Sequence, residues 1–372
     1  MTTTTMAERL AAATPITGVW YPSADGLPPL DPAAHVTTSA AWAAAWERVE
    51  TEVVLATRSL HLQDEGRSDA VTYYLVDRSP FWGRYEREAG VAPVWPAPVL
   101  WAGSCYGIYG GAGGATPAMA AAVVDRGLEL AAEWGACALA VPNLTPPLVA
   151  RWQQARPTPD VVLLDFAYTG PIRGGLDGFL AAIPARRNRS EFRRQLRHAE
   201  ETGLRLHALR GADMLPLLGA FTDLAIAAAD KHGHNFFGQD IFEATARVPG
   251  AVLLTAEHDG TLAGGFLCFR HGSGFYAWAA GIDYDRLATL RTYTALMAHT
   301  VTYAAATGAT QLHAGRGNHR YKRSVGLTGT ALQACIYLTR PNARLQAALA
   351  ELDTNQQALN GTADPTVSWW RP

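Results

Sequence analysis

The stretch from Gln311 to Leu327 constrains the fold of this chain more than any other stretch. Its apolar start predicts a buried strand over residues 310–314, and glycines at positions 315 and 317 let the chain leave that strand sharply. The turn then presents a dense set of polar side chains: Arg316, Asn318, His319, Arg320, Tyr321, Lys322 and Arg323. Such strand ends often bind ligands in α/β proteins, although a basic surface turn has the same pattern.

Lysine is used sparingly in this chain, and this gives Lys322 added weight. Lysine occurs only at Lys231 and Lys322, whereas arginine supplies the other 29 of the 31 basic residues. An ammonium group is a compact charge on a flexible stem, suited to a phosphate or a developing oxyanion. A lysine between Arg320 and Arg323 therefore indicates a position where an ammonium is required.

Length and composition predict two packed domains. The chain has 372 residues, of which 48% are hydrophobic, enough for two interiors. Its net charge of −2 argues against a surface that coats nucleic acid, so any RNA contact has to come from a local patch. Residues 1–13 lack the features of a secretory signal, and no apolar run reaches the length of a membrane span. We therefore expect a soluble, cytoplasmic protein.

The cysteines and histidines do not form a metal pattern. Four cysteines are scattered through apolar stretches without a CxxC pair: Cys105, Cys137, Cys268 and Cys335. His232 and His234 flank a glycine, but no third ligand is suggested nearby. We expect neither a metal site nor a disulfide framework.

Residues 40–183 are predicted to form a first α/β unit, after an arm over residues 1–39 that holds a short strand at 18–21. Helices are predicted over 40–49, 117–134 and 147–154, and strands over 52–60, 70–76, 98–101, 137–141 and 161–168. The order strand, strand, glycine-rich turn, helix, strand is typical of α/β proteins.

A glycine-dense loop over residues 103–114 lies in this first unit. Thr116 is suited to cap the helix that follows, with Pro117 at its first position. A helix N-terminus of this kind can bind an anion, but the loop has neither GxGxxG spacing nor a Walker lysine. A ligand-lining loop and a purely structural turn both remain open.

An arginine-rich helix over residues 185–203 opens the second unit, after a short helix over 176–183 and a break at Pro184. Phe192, Leu196 and Ala199 recur at helical spacing and predict its buried stripe. The other faces form a basic ridge of six residues: Arg186, Arg187, Arg189, Arg193, Arg194 and Arg197. The ridge is either a solvated face with internal ion pairs or a cradle for phosphates of a nucleotide-linked substrate or RNA acceptor stem.

The rest of the second unit repeats the α/β order. Strands are predicted over 204–209, 251–258, 262–270, 274–282, 310–314 and 331–337, and helices over 213–230, 239–247 and 287–307. Asp259-Gly260 predicts a hairpin between the second and third of these strands. The strand over 331–337 is expected to close the sheet.

Residues 186–340 resemble one domain of the GNAT superfamily of acyltransferases. Within it they resemble the tandem-domain subset: the Fem-type peptidoglycan aminoacyltransferases and the peptidoglycan-biosynthesis-like (BioF2-like) group. The resemblance rests on the arginine-rich helix, on the hairpin, strand, helix and strand over 251–314, and on the motif over 315–326. In that motif Tyr321 is the aromatic residue before Lys322, and Val325 replaces the usual Phe before Gly326.

The resemblance implies an α/β fold with two tandem GNAT-like domains, each a mixed, mostly antiparallel sheet flanked by helices. The expected divisions are an N-terminal arm over 1–39, a first, degenerate domain over 40–183, a second domain with the catalytic motif over 184–345 and a C-terminal tail over 346–372.

The implied chemistry is attack by an acceptor amine on an activated acyl group, a thioester or an aminoacyl-tRNA ester. In Fem-type enzymes the motif lysine binds the tRNA end or stabilises negative charge, and this role falls on Lys322, with Tyr321 beside it. His319, Asp283 or Asp285 are candidates for a general base, if the protein supplies one.

The remaining candidate residues are assigned to substrate or tRNA binding: Arg316, Asn318, Arg320, Arg323, Arg187, Arg189, Arg193, Arg194, Arg197, Lys231 and Trp278. The glycine loop of acetyl-CoA-dependent relatives is missing before residue 287, and this favours an aminoacyl-tRNA donor. The expected partners are charged tRNA and a small-molecule amine acceptor, without DNA, membrane insertion or a bound cofactor. An acyl-CoA-dependent N-acyltransferase and a non-catalytic module that binds RNA or a cell-wall precursor are the alternatives.

Overall fold

The computed structural model describes residues 16–231 and 236–363 of the chain. Three sets of predictions lie outside the described residues: residues 1–15 of the N-terminal arm, His232 with His234, and residues 364–372 of the C-terminal tail.

The described residues form strands at the following positions: β1 Thr17–Tyr21, β2 Val54–Asp64, β3 Arg67–Val76, β4 Val99–Ala102, β5 Ala138–Leu144, β6 Asp160–Pro171, β7 Arg205–Leu209, β8 Ala251–His258, β9 Thr261–His271, β10 Gly274–Ile282, β11 Gln311–His313 and β12 Thr328–Leu338. They form helices at α1 Ala40–Trp46, α2 Pro80–Ala89, α3 Pro117–Glu133, α4 Pro146–Ala155, α5 Gly175–Ala182, α6 Arg186–Glu201, α7 Leu215–Asp230, α8 Gln239–Thr245, α9 Tyr284–Leu290, α10 Thr292–Ala306, α11 His319–Ser324 and α12 Ala343–Ala363.

Local sequence signals explain several of these boundaries. The side chains of Ser39, Ser79 and Thr116 accept hydrogen bonds from backbone N–H groups in the first turns of α1, α2 and α3. Asp259 and Gly260 both have positive φ, as a tight hairpin turn requires, and join β8 to β9. The predicted Thr116 cap and Asp259-Gly260 hairpin are confirmed.

The strands in the described part of the chain form one twelve-stranded sheet with the order β1-β2-β3-β4-β5-β12-β6-β11-β10-β9-β8-β7. Two neighbouring pairs are parallel, β4 with β5 and β10 with β11, and the other pairs are antiparallel. A helix connects each parallel pair, α3 in the first half and α10 in the second. The sheet therefore consists of two halves with the same strand order and a helical connection across each parallel pair.

The two halves exchange their last strands. β6 follows the first half in sequence but pairs with β11, and β12 follows the second half but pairs with β5. β6 and β12 also pair with each other at the centre of the sheet, from Thr328 opposite Thr169 to Ile336 opposite Asp160. Neither half completes its sheet without a strand from the other.

Side chains alternate between the two faces of this sheet, with period two along each strand. On β8, Leu253 packs into the core on one face, whereas Val252 and Leu254 pack into a core on the other. The first face has one core that spans both halves under α1, α2, α7, α8 and α12. The second face has two cores, under α3 and α4 and under α5, α6 and α10.

Three features differ from the sequence-based predictions. The helix predicted over 287–307 is two helices, α9 and α10, which Arg291 separates in a left-handed conformation with φ of 54°. The strand predicted over 331–337 to close the sheet lies at its centre as β12, because β6 and β5 flank it. The helices α2 and α12 were not predicted, and α12 buries Leu345, Leu349 and Leu352 against the sheet.

One helix in the described part of the chain, Gly211–Asp230, is long and apolar enough to cross a membrane by length and composition, with a mean hydropathy of 1.4. The sequence-based expectation missed it because the run is broken by charged residues at positions 213 and 223. Phe221 and Ala225 of this helix are buried in the core of the first face, and a third of the apolar window is buried.

The central strand gives a stability prediction. Leu332→Ala on β12 removes a fully buried side chain where the halves meet, so we expect a loss of about 2–5 kcal/mol in the free energy of unfolding. Leu55→Ala on β2 removes the same atoms from a side chain that is 55% exposed, and we expect a change below about 1 kcal/mol. Urea unfolding of both variants checks the pair; equal losses would contradict a central role for β12.

Candidate active site

The second parallel pair, β10 with β11, opens a cleft at its end. The two strands pair only from Gly274 to Tyr276, and β10 then bulges at Trp278. Beyond the pairing, Gly315 turns away with φ of 66°, and an added Cβ there would lie 2.8 Å from the carbonyl oxygen of Ala277. Only glycine allows this close approach, and the diverging strand ends leave space for a ligand.

The motif after β11 forms the short helix α11 instead of an open loop. Asn318 precedes α11 in a left-handed conformation with φ of 48°, which asparagine tolerates better than most residues. The N–H of Leu327 donates to the carbonyl of Lys322 and ends the helix before β12. A non-glycine residue held at positive φ beside a cleft is typical of functional sites.

Lys322 lies beneath the turn at the start of this motif. Its side chain is 3% exposed, and Nζ donates a hydrogen bond of 2.6 Å to the carbonyl oxygen of Arg316. The ammonium also lies 5.8 Å from the ring centre of Tyr168. Burial lowers the pKa of Lys322 to about 7, although the carboxylate of Asp165 opposes the shift.

Asp165 on β6 is the buried carboxylate of the site, and sequence reasoning missed it. Its Oδ2 lies 3.2 Å from Nη2 of Arg84 on α2, and its Oδ1 lies 3.7 Å from Nε2 of His319. Burial raises the pKa of Asp165, but Arg84, then His319 and Arg316, hold it below its usual range. A lone carboxylate within the apolar run 161–168 was the only sequence signal for it.

His319 shares this buried environment. Burial lowers its pKa, against the opposing charge of Asp165, and its ring lies 5.6 Å from that of Tyr168. The imidazole contacts the carboxylate of Asp165. His319 does not line either of the two cavities described below.

Arg316 connects the two halves of the chain. Its Nη1 donates a hydrogen bond of 2.7 Å to the hydroxyl of Tyr85, and its Nη2 donates to the carbonyls of Cys105 and Gly107. The glycine-dense loop of the first half therefore reaches the motif of the second half. Its guanidinium also lies over the ring of Phe81, with 5.1 Å to the ring centre.

Two adjoining cavities open beside this network. The aromatic cavity, of about 370 Å³, is lined by Phe81, Tyr106, Phe236, Trp278, Tyr284 and Arg316, among others. The helix-end cavity, of about 400 Å³, is lined by Gln195, Tyr284, Arg291, Tyr293, Asn318 and Tyr321, among others. Tyr284 and Asn318 line both cavities, so the two spaces meet at these side chains.

The helix-end cavity has the electrostatics of an anion site. It lies at the N-terminus of α10, where Arg291 precedes the helix and no side chain caps it. The first N–H groups of an uncapped helix and its dipole favour a negative ligand, and Arg291 adds a full positive charge. Arg291 is strained in the left-handed region, so the break between α9 and α10 creates the site at an energetic cost.

The basic helix α6 lies along the mouth of this cavity. Its Gln195 accepts a hydrogen bond of 2.7 Å from Thr294 on α10, and its His198 lies 3.0 Å from the carbonyl of Thr289 on α9. Asn188 donates to the carbonyl of Ser324 on α11 with 3.1 Å. The ridge therefore borders the cavity.

The ridge arginines differ in their partners. Arg194 pairs with Glu191 at 2.7 Å, as the solvated-face interpretation predicts. Arg189 donates to the carbonyl of Ala181 and is half-buried. Within the described residues no ion pair is formed by the exposed Arg187, Arg193 and Arg197.

The other predicted site residues lie around the two cavities. Tyr321 packs edge-on to Tyr293 at 4.9 Å and its hydroxyl lies 3.5 Å from Oγ1 of Thr294. Trp278 donates from its indole to the carbonyl of Tyr106 at 2.9 Å. The ammonium of Lys231 lies 4.2 Å from the ring centre of Tyr284.

The remaining predicted binding residues lie on α11, where Arg320 is exposed and Arg323 is half-buried.

The two acidic candidates for a general base have different surroundings. Asp283 caps α9 by accepting from backbone N–H groups, and its Oδ2 pairs with Arg286 at 2.6 Å. These hydrogen bonds outweigh desolvation and lower its pKa, so it remains an ionised cap. Asp285 is exposed. Among the described residues, no group of three or more His, Cys, Asp or Glu side chains could hold a metal ion.

Comparison with known proteins gives a family match for part of the chain. Residues 186–323 match the family described as an acetyltransferase (GNAT) domain. No curated protein matches the chain. The match confirms the predicted GNAT-like character of the second half, including α6, β10, α10 and α11.

Several solved structures have a similar fold. A structure of FemX has 12% identity and a TM-score of 0.52, covering 78% of this chain and 90% of FemX. L-PGS from Bacillus licheniformis has 10% identity and a TM-score of 0.50, covering 76% of this chain and 85% of that one. A conserved protein of unknown function from Bacteroides thetaiotaomicron has 9% identity and a TM-score of 0.51, covering 82% and 90%. These similarities concern the fold, and with the repeated topology they confirm the predicted fold class.

The buried ammonium gives a prediction for the dependence of stability on pH. The pKa of Lys322 is about 7 in the folded chain and about 10.5 in the unfolded chain, so the unfolded chain binds more protons between these values. The stability of the wild type should therefore rise with pH across this window, relative to Lys322→Met, by up to about 1.4 kcal/mol per pH unit. Urea unfolding at pH 7, 8 and 9 measures the difference.

Lys231→Met is the matched control, because it removes the other lysine from an exposed position. We expect its stability to follow that of the wild type at each pH. Parallel curves for wild type and Lys322→Met would show that the Lys322 ammonium is not held in a desolvated site.

Proposed function

We propose, from the match of residues 186–323 to the GNAT acetyltransferase family, that the protein is an aminoacyl-tRNA-dependent N-acyltransferase. It would form an amide bond on an amine of a small or nucleotide-linked acceptor. Acyl transfer to an amine follows from the family, whereas the tRNA donor and the acceptor are our proposal. We place the reaction in the cytoplasm, where charged tRNA is available.

The observation that carries the proposal is the basic helix at the mouth of the helix-end cavity. The α10 N-terminus and Arg291 can hold one phosphate group at the cavity, as in other anion sites at helix ends. The ridge on α6 continues this positive surface with Arg187 on the side that contacts α9 to α11 and with Arg193 and Arg197 on the far side. A donor with a long phosphate backbone uses the whole ridge, whereas a compact donor does not reach its far side.

The reacting atoms would meet where the two cavities join. The amine nitrogen attacks the carbonyl carbon of the donor ester, and the carbonyl oxygen becomes an oxyanion. The oxyanion then returns to a carbonyl as the bond between this carbon and the ribose oxygen breaks, and the ribose oxygen leaves as a hydroxyl with the proton that the amine loses. Asn318 and Tyr284 line both cavities and can orient the carbonyl and the amine. Among the described residues that line these cavities there is no carboxylate or imidazole, so water or the leaving group accepts the amine proton.

Lys322, with His319, would act as a positioning residue in this arrangement. Its Nζ holds the carbonyl of Arg316 at 2.6 Å, directly before Gly317 and Asn318 at the cavity wall. The ammonium therefore fixes the turn that presents Asn318 at the wall of both cavities. His319 contributes by contacting Asp165, which holds Arg84 beside the same turn.

The aromatic cavity is our candidate for the acceptor. Its volume of about 370 Å³ suits a small amine, and Phe81, Tyr106 and Trp278 provide apolar contact. A nucleotide attached to the acceptor would extend outside this cavity.

An acyl-CoA donor is the second candidate function, and the α10 N-terminus favours it. One helix end with Arg291 is sufficient for a pyrophosphate, and the cavity of about 400 Å³ can hold the adjoining chain. A third possibility is a module that binds RNA or a precursor without catalysis, for which the ridge matters and Lys322 does not.

Copurification distinguishes these functions without a guess about the substrate. The full chain is purified at low salt, its nucleic acid is extracted and sequenced, and the protein is titrated with acetyl-CoA. Enrichment of one tRNA family that is lost as salt rises supports the proposal and names the amino acid. Saturable acetyl-CoA binding without RNA supports the CoA-dependent alternative. If the protein carries no enriched tRNA and does not bind acetyl-CoA, both donor assignments are contradicted.

Charge reversal on the two sides of α6 gives a sharper prediction. Positions 187 and 194 share the side that contacts α9 to α11, whereas positions 193 and 197 point away from it. We consider two double variants, one with Arg187→Glu and Arg194→Glu, the other with Arg193→Glu and Arg197→Glu. For a tRNA donor, we expect each of them to raise the KM for the donor about tenfold or more, because both sides of the helix contact phosphates.

The two double variants carry the same change in charge, so each is the control for the other. If only the pair at 187 and 194 raises KM, the donor is compact, as acyl-CoA is. Unchanged KM in both variants would contradict a role for the ridge in donor binding.

A further inference from the structure

The charges around the aromatic cavity restrict the kind of amine that it can accept. Among the described residues that line it, the charged side chains are Arg84 on α2 and Arg316 in the motif, and there is no carboxylate. An amine without an anionic group is a cation at neutral pH, and two guanidinium groups repel it. The cavity therefore favours an acceptor that carries its own negative charge.

Arg84 is held in place by carboxylates that do not line the cavity. Its Nε donates to Glu88 at 2.9 Å and its Nη2 to Asp165 at 3.2 Å, while 14% of its side chain stays exposed. Its Nη1 has no hydrogen-bond partner within the described part of the chain, and it is not one of the unpaired atoms sealed in the interior. This nitrogen therefore keeps donors for a ligand in the cavity that Arg84 lines.

Arg316 also keeps a donor. Its two terminal nitrogens donate to the hydroxyl of Tyr85 and to the carbonyls of Cys105 and Gly107, all of which are neutral acceptors. Its Nε has no hydrogen-bond partner in residues 16–231 and 236–363, and it too is not sealed in the interior. The guanidinium is thus fixed by neutral groups, and its charge remains available to an anionic ligand.

The two guanidinium groups lie close to each other. Both lie against the ring of Phe81, with distances from Cζ to the ring centre of 5.6 Å for Arg84 and 5.1 Å for Arg316. Both also contact Tyr85, since Arg84 lies 5.4 Å from its ring centre and Arg316 donates to its hydroxyl. One anionic group can therefore interact with both arginines, and a planar carboxylate matches the fork of donors on a guanidinium.

The rest of the wall is apolar and leads to the place assigned to the reaction. Six lining residues are aromatic, among them Tyr106 and Trp278, and the volume is about 370 Å³. Such a wall suits a small apolar side chain. Asn318, where this cavity meets the helix-end cavity, is separated from Arg316 by one residue. An amine a few bonds away from a carboxylate at Arg316 therefore reaches this junction.

We propose that the acceptor is an α-amino acid with an apolar side chain, whose free carboxylate binds to Arg84 and Arg316. This assignment rests on the proposed acyl transfer, because it names the amine that attacks. The ammonium of the amino acid first loses a proton to water, since only the neutral amine is a nucleophile. The new bond joins the acyl carbon to the amino acid nitrogen. With an aminoacyl-tRNA donor the product is a dipeptide with a free carboxyl end.

Titration calorimetry of the full chain with three related ligands tests the assignment without a donor. L-Phenylalanine has both groups, 3-phenylpropanoate lacks the amine and 2-phenylethylamine lacks the carboxylate. We expect both carboxylates to bind at least about tenfold more tightly than 2-phenylethylamine, because a charge-assisted hydrogen bond contributes at this level. Equal or tighter binding of 2-phenylethylamine would overturn the proposal. So would absence of binding of both L-phenylalanine and L-leucine at millimolar concentration.

Arg316→Met removes the charge and keeps an unbranched side chain. We expect it to weaken L-phenylalanine and 3-phenylpropanoate about tenfold and to leave 2-phenylethylamine unchanged or tighter, because it removes both the partner of the carboxylate and the repulsion of the amine. A misfolded variant would lose all three ligands, so opposite responses identify the charge. Arg78→Met is the matched control, since Arg78 is 89% exposed and does not line the cavity. Its affinities should equal those of the wild type.

Ala228→Phe tests whether the ligands occupy this cavity. Ala228 on α7 is half-buried and lines the cavity, so a phenyl group there takes the space of the ligand. We expect L-phenylalanine binding to be lost, with one cooperative transition in urea unfolding as evidence that the variant folds. Undiminished binding would place the amino acid elsewhere and overturn the proposal.

The acceptor assignment and the proposed transfer can fail separately. The tRNA copurification described above tests the donor without any of these ligands. If the carboxylates bind as expected but neither tRNA nor acetyl-CoA does, the carboxylate site stands and the proposed transfer fails. If one tRNA family is enriched but 2-phenylethylamine binds as tightly as L-phenylalanine, the donor assignment stands and the amino acid acceptor is overturned.

Discussion

The antiparallel pairing of β6 with β12 is the contact on which the rest of the structure depends. Each strand follows one half in sequence and completes the sheet of the other half. Asp165 comes with β6 from the first half and lies beside the motif helix of the second. Arg84 and Tyr85 reach the same place on α2. The candidate site is therefore composite, and the second half alone would lack its buried carboxylate, although it contains the family match.

Burying this many charges is costly, and their arrangement explains why the cost is tolerated. An isolated buried carboxylate would be protonated, but Arg84 and His319 approach Asp165 from different elements. Arg316 satisfies its donors on Tyr85 and on the carbonyls of the glycine-dense loop. Because these contacts join α2, β6 and the turn at Gly315, the network fixes the relative position of the three elements. Rigidity of this kind is what a site needs to present Asn318 reproducibly.

Sequence reasoning found what is encoded locally and missed what depends on distant pairing. The Asp259-Gly260 hairpin, the Thr116 cap and the buried stripe of α6 at Phe192 and Ala199 follow from short-range patterns. The central place of β12 and the role of Asp165 depend on strand exchange, for which neighbouring residues give no signal. Arg291 was missed as a helix break because neither proline nor glycine marks it. Lys322 was selected by its rarity, and its burial beneath the turn became visible only with β6 in place.

The two halves share a strand order, yet among the described residues an open cleft lies at the parallel pair of the second half, whereas the chain itself fills this place in the first. Asn143 near the end of β5 and Asn318 after β11 both have positive φ and lie a few residues beyond the parallel pairing of their halves. The amide of Asn143 donates to the carbonyls of Ser104 and Cys105 and fastens the glycine-dense loop. Gly110 of that loop lies so close to β5 that an added Cβ would overlap the carbonyl of Pro142. The first cleft is therefore filled by the chain itself, and its loop extends to hold Arg316. Asn318 has no such loop to fasten, so it lines both cavities, and the first half serves the second as a scaffold.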